Sequence, residues 1–293
     1  MNPALLKRAW EMLVNPRVRL TTDFPLTGRK LGKAYLVALF WFVVGTAAPL
    51  VLFFATLFAV GYLAPESARP LLDWMVDHQG VPNVSFVMTL SVVTFLSGFG
   101  AQLWYLRRHL HLHNSTLTGA VALNLSSLRG KTWMATLWSL LWRVVVAAGI
   151  WYAIELVLAA LLHPPLQPTA ELAKQASGGN FIAFFLLAAV AAPILEEIVF
   201  RGFLFNALRS TFHQGRVFAW LNGNKRAADF LAVTTSAAIF SLQHMQFHPV
   251  TMLLLFLMGW YLAEVYRRTG TLWTGILLHA INNGIAVILL GMI

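Results

Sequence analysis

The chain contains no cysteine, which excludes disulfides, thiolate metal sites and a thiol nucleophile. It is also poor in charge. Only 11% of its 293 residues are Asp, Glu, Lys or Arg, and just 11 residues are acidic. Any catalysis must therefore use carboxylate, imidazole, hydroxyl or amide groups. Apolar residues fill the space instead: 58% of the chain is hydrophobic and the mean hydropathy is +0.69, the composition of a multi-spanning membrane protein rather than a soluble domain. The net charge of +10 does not point to nucleic acid, because the basic residues gather in loops beside apolar runs.

A helix needs about 20 apolar residues to cross the hydrocarbon, and the sequence predicts an all-α bundle of about seven such spans. They cover 34–63, 83–106, 132–162, 180–208, 228–244, 250–266 and 272 to the end. Lys7, Arg8, Arg17, Arg19, Arg29, Lys30 and Lys33 precede the first span, and Arg107, Arg108, Arg129 and Lys131 follow the second. Arg209, Arg216, Lys225 and Arg226 follow the fourth, and Arg267 and Arg268 the sixth. All the basic loops thus fall on one side, which places the N-terminus in the cytoplasm and, with seven spans, the C-terminus outside. The expected location is the plasma or inner membrane.

Three segments follow from this pattern. Residues 1–33 form a cytoplasmic segment, in which Leu6, Trp10 and Leu13 share one helix face and suit a short interfacial helix. Residues 34–163 hold the N-terminal membrane helices. After a stretch rich in Pro, Gly and Ser, residues 178–293 form a second helical core that carries the motifs. The first apolar run is itself a full span and should persist in the mature protein.

Ionisable groups at membrane depth are rare and usually functional. Glu196 and Glu197 sit in the fourth span within Pro193-Ile194-Leu195-Glu196-Glu197-Ile198-Val199-Phe200-Arg201. On a helix, Glu197 and Arg201 share a face and pair, while Glu196 is rotated by about 100° and left without that partner. An unpaired carboxylate in apolar surroundings can serve as a general base. The fifth span brings Phe240 and, one turn later, His244, with the ring of Phe240 placed to pack on the imidazole. The seventh brings His279 and Asn283, again four apart. His109, His111 and His113 alternate and read as a solvated tract beside the membrane. Arg143 and Glu155 stand about 18 Å apart along one helix, too far to pair directly.

The common intramembrane protease chemistries are excluded by their motifs. The chain has no HExxH zinc helix, no GxSG serine and no aspartate in the interior of a span. A glutamate, two histidines and an asparagine remain. In one arrangement Glu196 and His244 activate a water while His279 and Asn283 stabilise the oxyanion. In the other, Glu196, His244 and His279 hold a divalent metal such as zinc that activates the same water. The metal-free arrangement is preferred, since only one clear carboxylate and two imidazoles are on offer.

The motifs EExxxR at Glu196, Glu197 and Arg201, FxxxH at Phe240 and His244, a small-residue span opening Phe256-Leu257-Met258-Gly259, and HxxxN at His279 and Asn283 match in order and spacing a known pattern. It resembles the CPBP intramembrane proteases, also called the Abi or CAAX protease family, which include the type II CAAX prenyl endopeptidases. The resemblance covers about 180–283. Ala263 stands where the third motif often has glycine, a small-for-small exchange that still permits close helix packing.

The resemblance implies an endopeptidase in which Glu196 activates water, Glu197 and Arg201 form its structural pair, and His244, His279 and Asn283 complete the site. It also implies two partners, the lipid bilayer and a membrane-associated or lipidated peptide or protein substrate. The alternatives are a noncatalytic scaffold or immunity protein of the same family and, from the buried glutamates alone, an ion-coupled transporter.

Overall fold

A computed structural model of the protein describes residues 28–76, 82–111, 133–165, 173–214, 224–244 and 248–292. The interfacial helix expected at Leu6, Trp10 and Leu13 lies outside these residues, as does His113.

Among the described residues the chain is helical throughout, with α1 Gly28–Leu63, α2 Pro65–Met75, α3 Val84–His111 and α4 Trp133–Leu162 in its first half. The second half holds α5 Gly178–Gln214, α6 Lys225–Leu242, α7 Pro249–Thr269 and α8 Leu272–Gly291. Six helices are long and apolar enough to cross a membrane: α1, α3, α4, α5, α7 and α8. The protein is a multi-pass membrane protein. Seven spans were expected, and the difference is α6. It is a helix packed within the bundle, but Lys225, Arg226 and Asp229 in its first turns make it too charged to qualify by composition.

The extra element is α2, a short amphipathic helix opened by Pro65 with Glu66 in its first turn, both favourable at a helix N-terminus. Its place in the loop explains why hydropathy alone passes over it.

The two halves pack differently. Helices α1 and α3 form an antiparallel pair that crosses closely at Gly45 and Gly98. A Cβ on Gly45 would stand 2.5 Å from the Ser97 carbonyl oxygen, so only glycine permits this approach. Phe42 and Phe99 meet edge to face beside the crossing, 5.1 Å apart. The main core joins Ala34, Ala38, Phe99 and Leu106 from this pair to Phe200, Phe203 and Phe205 of α5, Phe240 of α6 and Tyr266 of α7. A second cluster packs Ala147 and Trp151 of α4 on Met258, Tyr261 and Leu262 of α7 and Leu278 of α8.

One end of the second half is tied by charge. Asp229, at the start of α6, accepts from Arg209 Nε at 2.7 Å and lies 2.8 Å from His213 Nε2 and 3.5 Å from Arg267 Nη1. Glu264 pairs with Arg267 and Arg268. The end of α5, the start of α6 and the end of α7 therefore meet. These are the ends that the charge bias assigns to the cytoplasm.

Between α7 and α8 the chain turns on Gly270 with φ of 67°, a conformation that favours glycine. Thr271 then caps α8 by accepting from Trp273 N–H, which sets where His279 falls two turns later.

Candidate active site

Helix α5 is not a uniform α-helix. It winds as π-helix over Leu186–Ala191 and again over Glu197–Phe205, and such i→i+5 segments are frequent at functional sites. Pro193 gives the first a local cause. In the π register Ala192 N–H donates to Leu187 O, so the next donor, residue 193, would serve Ala188 O. Proline has no N–H to give. The orphaned Ala188 carbonyl accepts instead from Asn283 Nδ2 of α8, at 3.0 Å.

The second π segment is satisfied in the same way, since buried carbonyls need partners. Ser236 Oγ of α6 donates to Phe200 O at 3.2 Å, and Asn206 Nδ2 donates to Gly202 O at 2.8 Å while also reaching Tyr266 Oη.

At the join between these windings stand the two glutamates. Glu197 is fully buried, and its Oε1 lies 2.8 Å from Nη1 of the equally buried Arg201; the pair read from the spacing is present. The Arg201 guanidinium also donates from Nη2 to Gly259 O at 3.2 Å and lies over the Phe240 ring, 4.6 Å from its centroid. A charge this deep is tolerable only with such company.

Both glutamates face the same imidazole. His279 Nδ1 is 3.2 Å from Glu197 Oε1, and its Nε2 is 3.9 Å from Glu196 Oε2. An ionised carboxylate can only accept, so Nδ1 carries the proton in the first contact and Nε2 is turned toward Glu196. The isolation of Glu196 expected from helical rotation is thus only partial: it lacks Arg201 as an ion-pair partner but has His279 as a neighbour from α8. Its side chain keeps 12% exposure where Glu197 has none.

His244 sits on the turn just after α6, whose last helical residue is Leu242. Its Nδ1 donates to Phe240 O at 2.8 Å. Phe240 touches both imidazoles, with ring centroids 4.9 Å from His244 and 6.2 Å from His279. Glu196, Glu197, Arg201 and His279 are therefore in direct contact, His244 joins them through Phe240, and Asn283 lies one turn beyond His279. Among the described residues, no group of three His, Asp or Glu side chains is arranged to hold a metal ion.

Two other polar residues noted in the sequence, His109 and Arg143, have contacts of their own. His109 stacks on Tyr105 within α3, with centroids 5.6 Å apart. Arg143 Nε is 3.5 Å from Ser139 Oγ.

Several residues of the site carried no motif signal. Gly275 leaves room for Glu197: a Cβ there would stand 3.0 Å from Oε2, an oxygen without a hydrogen-bond partner among the described residues. Gly275→Ala is expected to push the carboxylate off its contact with His279, with overpacking of about 1 to 3 kcal/mol. Activity should fall by at least about fivefold, as that energy implies, with membrane yield largely kept; wild-type turnover in a cleavage assay would remove Gly275 from the site. Trp151, Asn282, Tyr35 and Gln243 also join the surroundings through hydrogen bonds that only tertiary packing creates.

Comparison with known proteins covers the same region. The model for the type II CAAX prenyl endopeptidase Rce1-like family matches residues 178–285. The chain is also similar to the membrane-embedded CAAX protease MroQ of Staphylococcus aureus (strain USA300), at 32% identity over 105 residues. That match covers 36% of this chain and 38% of the relative, so the alignment spans well under half of either protein. No solved structure matches.

Proposed function

Because this chain belongs, through its second half, to the CPBP family of CAAX-protease-like membrane proteins, we propose that it is an intramembrane endopeptidase. It hydrolyses a peptide bond of a membrane-associated or lipidated substrate. The observation that carries this reading is the facing of Glu196 and His279 Nε2 at 3.9 Å within a buried apolar bundle. That gap is too long for a direct hydrogen bond and suits two groups that bind one water.

In this reading Glu196 removes a proton as the water attacks the scissile carbonyl, and His279 Nε2 stands where that proton can pass toward the leaving amine. Glu197 holds the ring through Nδ1. Arg201 pairs with Glu197, and Gly275 gives it room. Asn283 uses one amide proton on Ala188 O; its second can meet the oxyanion, and His244 completes the site.

The chemistry runs without a metal on this account. Protein prepared with chelator should retain its activity and hold no stoichiometric metal by elemental analysis. One tightly bound zinc per chain, with activity lost on its removal and restored on its return, would replace the glutamate–histidine mechanism.

In this reading the charged cluster of Arg209, Asp229 and Arg267 lies at the cytoplasmic end of the helices, in the plasma or inner membrane. Glu196 then lies roughly 20 Å below that end. The substrate enters from the cytoplasm as an extended segment, because a helical backbone must unwind before its carbonyl can be attacked. The functional test uses full-length protein in liposomes with a farnesylated peptide and its unlipidated twin. Cleavage of the lipidated peptide by the wild type but not by Glu196→Gln supports the proposal. Equal handling of both peptides by both proteins, with no cut found, returns the chain to the scaffold reading.

A further inference from the structure

The family-matched region, residues 178–285, does not stand alone around the site. Two helices outside it each hold the amide side chain next to a site residue. From α4, the buried Trp151 donates its indole N–H to Asn282 Oδ1 at 3.0 Å, and Asn282 Nδ2 donates to Asn283 Oδ1 at 3.4 Å. Asn283 Nδ2 in turn donates to Ala188 O. From α1, Tyr35 Oη accepts from Nε2 of Gln243, the residue before His244, at 3.0 Å.

Both helices are keyed by more than these bonds. Trp151 stacks on Tyr261 with centroids 5.6 Å apart, and Tyr261 Oη donates to Ala147 O at 2.7 Å. Helix α4 is therefore locked to α7 at the level of Asn282. Near α1, Ser241 Oγ donates to Met252 O at 2.7 Å, so the chain just before His244 is fixed from two sides.

We propose that Trp151 and Tyr35 are positioning residues for the site, acting through Asn282 on the Asn283 amide and through Gln243 on the His244 turn. The inference rests on the peptidase reading above. An amide has one acceptor oxygen and one donor nitrogen, and the two ends can exchange places by a half-turn. With Oδ1 of Asn283 receiving from Asn282, its Nδ2 is held toward Ala188 O and the site. Without Trp151, Asn282 is free to turn, and the direction of the Asn283 amide is no longer imposed. The effect belongs to the bond-breaking step rather than to substrate binding, because neither Trp151 nor Asn282 needs to touch substrate for it.

Trp151→Phe keeps the aromatic stack on Tyr261 and removes only the N–H. In liposomes with the farnesylated peptide, kcat is expected to fall about five- to tenfold with KM and melting temperature little changed, as the loss of one buried hydrogen bond implies. Asn282→Ala should give a similar loss, and the double variant no more than the worse single one, since both break the same relay. Tyr35→Phe should act in the same direction through Gln243. Glu155, one turn along α4 from Trp151, supplies the control: Glu155→Gln should leave kcat near the wild-type value.

The outcomes separate this inference from the proposed function. A wild-type kcat in Trp151→Phe, alongside cleavage that still depends on Glu196, overturns the positioning role and leaves the peptidase standing. An additive double variant, or a Glu155→Gln loss equal to that of Trp151→Phe, overturns the relay. If the wild-type chain cuts no peptide, both proposals fall. The contact itself is then read separately from the indole ¹H–¹⁵N resonance of Trp151, which must move in Asn282→Ala.

Discussion

Arg201→Ala and Glu197→Gln should each destabilise the folded protein by about 3 to 5 kcal/mol, because each leaves a buried charge without its partner. Arg201 is 1% exposed and Glu197 has no exposure at all. Alanine at 201 would also leave Gly259 O without its donor and strip the cation from the face of Phe240. Both variants should give low membrane yield and a lowered melting temperature, and both should lose activity. Removing the pair together, as Glu197→Gln with Arg201→Met, leaves no orphaned charge. That double variant should melt closer to the wild type than either single one, yet remain inactive because His279 loses its anchor. Equal melting of all three variants and the wild type, followed by thermal scanning in detergent, would show that the pair does not hold the fold.

Glu196→Gln should do the reverse. It is close to isosteric, Glu196 retains some exposure, and no ion pair to Arg201 is broken. Its removal takes away the base, which contributes about 10² to 10⁴ in rate for a positioned side chain. Yield and melting temperature should stay near the wild-type values while cleavage falls below detection. Activity within a few-fold of wild type would remove Glu196 from the general-base role and turn attention to His244. The contrast between neighbouring residues is informative: one glutamate is expected to matter for chemistry alone, the other for chemistry and folding.

Much of this arrangement was legible in the sequence because it depends on features with strong periodic or compositional signals. The uncharged run from 34 to 63 can only be a long membrane helix, and α1 ends at Leu63 as hydropathy implies. The Glu197–Arg201 pair follows from i,i+4 spacing, which survives the change of winding.

The isolation of Glu196 was a different matter. Rotation on one helix implies it, but the contact that matters comes from His279 on α8, about which a single helix says nothing. The π-helical stretches have no hydropathy signature, because shifting a hydrogen bond from i+4 to i+5 leaves composition untouched. Pro193, inside an apolar span, was the one visible hint that a carbonyl nearby would need another donor.

Position along a helix was also harder to read than its existence. Hydropathy places His244 inside a span of 228–244, but α6 stops at Leu242 and the histidine falls on the following turn. Of the three charges that disqualify α6 by composition, Lys225, Arg226 and Asp229, the last fastens its start to α5 and α7. Charge there follows from packing between helix ends, which hydropathy does not register. Gly275 carried no signal either, since a glycine that makes room for a carboxylate on another helix looks like any other small residue in a membrane span.

The central claim is that this chain cuts peptide bonds with Glu196. Its most direct measurement is a quantitative comparison of new peptide termini in membranes expressing wild type or Glu196→Gln at matched levels. The account predicts at least one membrane-associated protein whose new terminus appears only with the wild type and whose cut is reproduced by the purified chain in liposomes. Indistinguishable termini in the two membranes, with both proteins folded and abundant, would contradict it.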